Sequence, residues 1–280
     1  MKLFFKLPFI FIAAPLLIAF YSCSEEEIGK KNGSLSSLPP DTGGEHVAEH
    51  LLPEKNIYGH YIYLPGGYDS GSEYPLIVFL HGMGEIGNSQ NNPDELSKVL
   101  RGGIPRLIEK KTWNPVFPAL VASPQCHEGW WNAKKIHQYI EYIAAKYKVD
   151  MNRIYITGLS MGGYGVFDYV GVYGDSSYVA AAAPICGGGN VKQGKSYQNI
   201  PIWAFHGDAD PTVSIDRSIE MIEAINKQNP VHKAKLTVYP NVGHDSWTMT
   251  YDGTGMGKES SDYDSFSEDL YSWMLKYTKE

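Results

Sequence analysis

Short apolar runs recur along this chain and are separated by stretches whose apolar residues follow helical spacing. Tyr58 to Leu64 reads as an early, edge-side strand closed by the turn Pro65-Gly66-Gly67. Leu76-Ile77-Val78-Phe79-Leu80 is apolar at every position, the signature of a central strand buried on both faces. Ala119 to Ala122, Arg153 to Thr157, Val179 to Ala183, Ile202 to Phe205 and Leu236 to Tyr239 supply further strands. Ile136, Tyr139, Ile140, Ile143 and Tyr147 fall on one face of a helix, and further helices are predicted over 164–173, 214–228 and 266–277. Strands alternating with helices predict an α/β domain with a mostly parallel central sheet and helices on both faces. The stretch Asp252 to Asp264, rich in Gly, Ser and charge, reads as a surface insertion, and no internal repeat is visible.

The first residues follow another pattern. Lys2 and Lys6 precede an apolar run from Leu7 to Phe20, of signal-peptide length and short for a membrane span. The run ends at Ser22-Cys23-Ser24, which resembles a bacterial lipobox with Phe20 in place of the usual leucine. Residues 1–22 are therefore read as a lipoprotein signal peptide and Cys23 as the lipidated first residue of the mature chain. Residues 23–45, polar and rich in Gly, Ser and Pro, form the predicted flexible tether, and 46–280 the single catalytic domain. The expected location is the cell envelope, with membrane contact only through the anchor. The cluster Glu25-Glu26-Glu27 resembles an export signal for surface exposure on the outer membrane.

Charge narrows the partners. The formal net charge is −7, and removal of residues 1–22 would take away two lysines and no acid. With no basic run to offset it, nucleic acid is not an expected partner. Of three cysteines, Cys126 and Cys186 lie just past predicted strands on one sheet edge, where an exported protein could pair them.

The chemistry concentrates in Gly158-Leu159-Ser160-Met161-Gly162, a G-x-S-x-G between a strand and a helix-compatible stretch. Strand, sharp turn and helix is the setting of a nucleophile elbow, and the flanking glycines give the strained turn room. A serine hydroxyl is a weak nucleophile near neutral pH and needs a base, which in turn needs an orienting carboxylate. Carboxylates occur in His206-Gly207-Asp208-Ala209-Asp210, past one strand, and the base candidate His244 in Gly243-His244-Asp245, past the last. In a sheet of this kind ligands bind beyond the carboxyl ends of the strands, where all three groups fall. Neither H-E-x-x-H, nor Cys–His pairs at zinc spacing, nor an EF-hand loop appears, so no metal is called for. Gly187-Gly188-Gly189 makes no dinucleotide fingerprint with a following helix, so no cofactor is expected.

These motifs together resemble the carboxylesterase side of the α/β-hydrolase superfamily. Family 1 carbohydrate esterases and dienelactone-hydrolase-like proteins are the most similar groups. The matching residues are Tyr74-Pro75-Leu76, Leu80-His81-Gly82-Met83-Gly84-Glu85, Ser123-Pro124-Gln125, Asp150 to Arg153, Gly158 to Gly163, His206 to Asp210 and Gly243 to Asp245. The resemblance implies an α/β-hydrolase fold and a triad of Ser160, Asp210 and His244. It favours Asp210 over Asp208, with Asp245 as a third candidate, and gives Glu85 the task of bracing its loop. The oxyanion would be held by the backbone N–H groups of Met161 and Met83, each contributing roughly 3 kcal/mol when measured by deletion.

Gln125, Trp130, Trp131 and Trp247 are candidate pocket residues, the tryptophans as platforms for sugar rings or a feruloyl group. The function expected is removal of small acyl groups, acetyl or feruloyl, from polysaccharide. Two rivals are a serine peptidase of the prolyl-oligopeptidase type and a catalytically silent glycan-binding surface lipoprotein.

Overall fold

The computed structural model describes residues 1, 35, 38–68, 71–115 and 117–279. The predicted signal peptide past Met1, Cys23 and most of the predicted tether thus lie outside the described residues. Among the described residues no helix is long and apolar enough to cross a membrane.

One sheet of eight strands organises the unit formed by Gly33–Glu280. The strands are β1 (Glu45–Glu49), β2 (His60–Leu64), β3 (Tyr74–Leu80), β4 (Leu120–Pro124), β5 (Val149–Leu159), β6 (Ala181–Ile185), β7 (Trp203–Gly207) and β8 (Lys235–Tyr239). Their spatial order is β1-β2-β4-β3-β5-β6-β7-β8. At one edge β1 pairs antiparallel with β2 and β2 antiparallel with β4, and the remaining pairs are parallel. The helices are α1 (Gly103–Glu109), α2 (Ala133–Lys146), α3 (Met161–Tyr173), α4 (Asp216–Asn226), α5 (Trp247–Tyr251) and α6 (Leu270–Leu275).

The unbroken apolar runs follow from cover on both faces. Leu76, Val78 and Leu80 join the core shared with Ile136, Ile140 and Ile143 of α2 and Val166 of α3. Ile77 and Phe79, one residue out of phase, join the other core with Ile104 of α1 and Trp273 of α6. The two-residue side-chain period of a strand makes every residue of β3 a core residue.

Three expectations change. The helix predicted over 266–277 shrinks to α6, because Asp269 caps it by accepting hydrogen bonds from the N–H groups of Tyr271 and Ser272. The stretch Asp252 to Asp264 is more than an insertion. Asp264 lies along the free edge of β8, donating its N–H to Leu236 O while its carboxylate accepts from Leu236 N–H, each at 2.9 Å. It thereby occupies backbone groups that an edge strand otherwise exposes. Finally, Cys126 and Cys186 are free and buried, and they belong to opposite cores. Following β4 and β6 at the same sheet edge did not bring them onto one face, and β3 and β5 lie between those strands.

Candidate active site

Ser160 stands between the end of β5 and the start of α3, with φ +52° and ψ −116°. A non-glycine residue there is strained, and such strain persists only where the surroundings over-determine it. The surroundings are backbone. A Cβ on Gly162 would stand 2.0 Å from Leu80 O, and one on Gly158 would stand 2.7 Å from Gly162 O. The Ser160 N–H is itself held, donating to Ile185 O at 3.0 Å and to the Cys186 sulfur at 3.3 Å.

The hydroxyl that this turn lifts meets a histidine from the turn after β8. Ser160 Oγ lies 2.9 Å from His244 Nε2, and His244 Nδ1 lies 2.7 Å from Asp210 Oδ2. Asp210 comes from the turn after β7, and its side chain is fully buried. Its second oxygen accepts from the N–H groups of Thr212 (2.8 Å) and Val213 (3.0 Å). Burial alone would push its carboxyl up. The hydrogen bonds from His244, Val213 and Thr212 outweigh it and hold the group below the ordinary carboxylate range. The two competing acids are occupied elsewhere. Asp208 accepts from Asn241 N–H, and Asp245 takes the N–H and hydroxyl of Thr248 at the start of α5.

On the other side of Ser160 runs the turn after β3. Met83 opens a 3-10 turn over Met83–Glu85, and Met161 opens α3, so the N–H of each has no partner within its own helix. Behind that turn His81 is 1% exposed. Its Nδ1–H donates to Gly82 O (2.6 Å), and its Nε2 accepts the Cys126 N–H (2.9 Å). Burial drives the pKa of this ring down to about 4, although the Gly82 bond works the other way. Burial raises the carboxyl of Glu85, which folds back toward Gly82.

The four candidate pocket residues separate. Gln125 is buried and donates its side-chain N–H groups to Glu85 O (3.1 Å) and Glu95 O (2.5 Å). It ties the turn after β3 to the end of β4 and has no amide hydrogen left for a substrate. Trp131 is also buried, donates from Nε1 to His81 O (3.0 Å), and packs on Gly165 of α3. Both are buried and donate to backbone carbonyl oxygens. Trp130 is 47% exposed, with its ring 5.9 Å from that of Tyr164. Trp247 stands edge-on to His244 at 5.3 Å. Tyr164 was not among the sequence candidates, though its place one helical turn past Ser160 is the signal that could have found it.

A cation has one set of donors here. Among the described residues, Cys186 Sγ, Asp210 and His244 present ligand atoms within 4.8 Å of one another. Asp210 and His244 are already hydrogen-bonded partners, so a cation would have to part them.

The sheet, its crossovers and the residues gathered at its carboxyl edge define an α/β-hydrolase. The chain belongs to the dienelactone hydrolase family, whose model matches residues 127–277, over half its length. Among curated proteins it is similar to the bifunctional acetylxylan esterase/xylanase of Neocallimastix patriciarum. The identity is 26% over 65% of this chain and 26% of the relative. It is also similar to the probable feruloyl esterase C of Aspergillus terreus, at 28% identity over 68% of each chain. The chain thus spans about a quarter of the first of these relatives and two thirds of the second. Among solved structures, a thermostable esterase superposes with a TM-score of 0.61 and 26% identity, over 85% of this chain and 64% of that one. The feruloyl esterase module from Clostridium thermocellum complexed with sinapinate shares the fold at a TM-score of 0.55 and 18% identity, over 79% and 88% of the two chains. Both curated relatives and both structural neighbours are named as esterases.

Proposed function

We propose that this chain hydrolyses carboxylic esters through Ser160, His244 and Asp210, removing small acyl groups, acetyl or feruloyl, from polysaccharide. The observation that carries the reading is the continuous contact from Ser160 Oγ through His244 to Asp210, at 2.9 and 2.7 Å. His244 Nε2 takes the hydroxyl proton as Ser160 Oγ bonds to the ester carbonyl carbon. The carbonyl oxygen becomes an oxyanion facing the N–H groups of Met161 and Met83. Collapse breaks the C–O bond, and His244 passes its proton to the departing alcohol. Water, deprotonated by His244, then attacks the acyl-enzyme, releasing the acid and restoring Ser160. Asp210 stays ionised and stabilises the imidazolium formed in each half.

The polysaccharide assignment draws support from the two curated relatives and from the exposed Trp130 beside Tyr164, a face suited to a sugar or aryl ring. Export as a Cys23-anchored envelope lipoprotein belongs to the same proposal. Globular extraction into detergent that is lost on Cys23→Ala would support it, and unchanged partitioning would refute it.

The test of substrate compares the full chain with its Ser160→Ala variant on native arabinoxylan, measuring released acetate and ferulate. Serine-dependent release of either acid is expected. Cleavage of a simple aryl acetate with neither acid released would leave the hydrolase and remove the polysaccharide.

A further inference from the structure

Asp210 Oδ2 faces two histidines. Besides His244 Nδ1 at 2.7 Å, Nε2 of His206 lies 3.3 Å away, and the His206 side chain is fully buried. The same Nε2 lies 3.0 Å from Val213 O. Both neighbours of this nitrogen are acceptors, so it carries the ring proton. The other nitrogen, Nδ1, lies 2.8 Å from Ser218 Oγ of α4, and that hydroxyl lies 2.9 Å from Gly187 O in the turn after β6. The Ser218 hydroxyl carries one hydrogen, and both Gly187 O and the Nδ1 lone pair of the neutral ring face it.

We infer that His206 is a positioning residue of the triad, held by Ser218 so that its Nε2–H gives the Asp210 carboxylate a second hydrogen bond beside that of His244. The inference rests on the triad reading above. Its consequence concerns basicity. A second donor on Oδ2 draws charge from the oxygen that His244 uses, so the imidazolium of His244 is stabilised less than by a carboxylate facing it alone. The titratable groups around Asp210 are His244 after β8, His206 at the end of β7, Cys186 after β6 and Tyr164 on α3. Those acting on His206 are Asp210 and His244. Burial lowers the pKa of His206, against its contacts with Val213 O and Asp210, which act to raise it.

The experiment measures aryl acetate hydrolysis against pH for the full chain and for His206→Leu, His206→Gln and Ser218→Ala, beside Ser160→Ala. Loss of the Nε2–H donor should leave more charge on the Asp210 oxygen that His244 uses. The acid limb of kcat/KM in His206→Leu should then move up by about half a unit or more. Its kcat should fall about tenfold, as for loss of one hydrogen bond to a charged group, with KM within about twofold. His206→Gln, whose amide N–H can reach the same oxygen, should return the limb toward wild type. Ser218→Ala, the milder change, should shift it in the same direction by less, and keeps the test alive should His206→Leu not fold. A role in folding alone would lower the melting temperature and leave the limb in place, and that result in a folded variant overturns the inference. Turnover retained in Ser160→Ala would remove the triad and this inference together.

Discussion

The site is built between two turns that begin with the same dipeptide. His81-Gly82 follows β3 and His206-Gly207 closes β7, and both imidazoles are buried. Their surroundings differ in one respect. His81 Nε2 accepts a backbone N–H, which cannot turn away, so a second proton on that ring would break the contact with Cys126. His206 Nδ1 faces a hydroxyl, which can either donate or accept. The first turn is a fixed wall, tied by Gln125 and Trp131 to the end of β4 and to α3. The second touches Asp210, the acid hydrogen-bonded to His244. A shared sequence motif thus says where a histidine sits, and its hydrogen-bond partners say what it can do.

The largest expected effect leaves both turns alone. Ser160→Ala should lower kcat by about four orders of magnitude or more while the melting temperature stays near wild type. Turnover near wild type would mean that neither turn serves a serine nucleophile.

His81→Phe attacks the wall. It leaves the Cys126 N–H and Gly82 O without partners in a closed core, at a cost of about 3 kcal/mol in denaturant unfolding. The displaced turn should also cost about a hundredfold in kcat, comparable to loss of one oxyanion donor. A variant that loses stability but keeps its kcat would separate the wall from the oxyanion site.

Acid tests the first turn in wild-type protein. With the folded pKa of His81 pushed down to about 4 from an unfolded value of 6.5, the unfolded chain binds the proton first. Stability is therefore fully present above about pH 6.5, falls as pH drops toward 4, and levels off below that, by up to roughly 3 kcal/mol from His81. Burial lowers His60 and His46 to about 4 as well, so they add to the same limb. Urea midpoints measured from neutral to acid pH check this. A midpoint that holds steady down to pH 4 would contradict the locked ring.

Trp130→Ala is the smallest change, on the open rim. It should raise KM for acylated polysaccharide about tenfold, as loss of one stacked ring does, and leave aryl acetate turnover nearly unchanged.

The strands were legible because a sheet buried on both faces demands unbroken apolar runs, and Leu76 to Leu80 is one. Ser160 and its glycines were legible because the elbow leaves no room for a Cβ at Gly158 or Gly162, so residue type records geometry directly. The pocket was not. Trp130 and Trp131 are adjacent and alike in sequence, yet one is 47% exposed and the other 2%. Only the position of α3 decides which ring turns inward.

Local sequence therefore determined the order of elements, the strained serine and the three turns that carry the candidate triad, since each depends on backbone geometry within a few residues. Tertiary structure alone decided which aromatic rings remain outside, that the two thiols lie in opposite cores, and that His206 touches Asp210. Those outcomes depend on contacts between chain segments far apart in sequence, where a shift of one ångström or a turn of one side chain changes the partner.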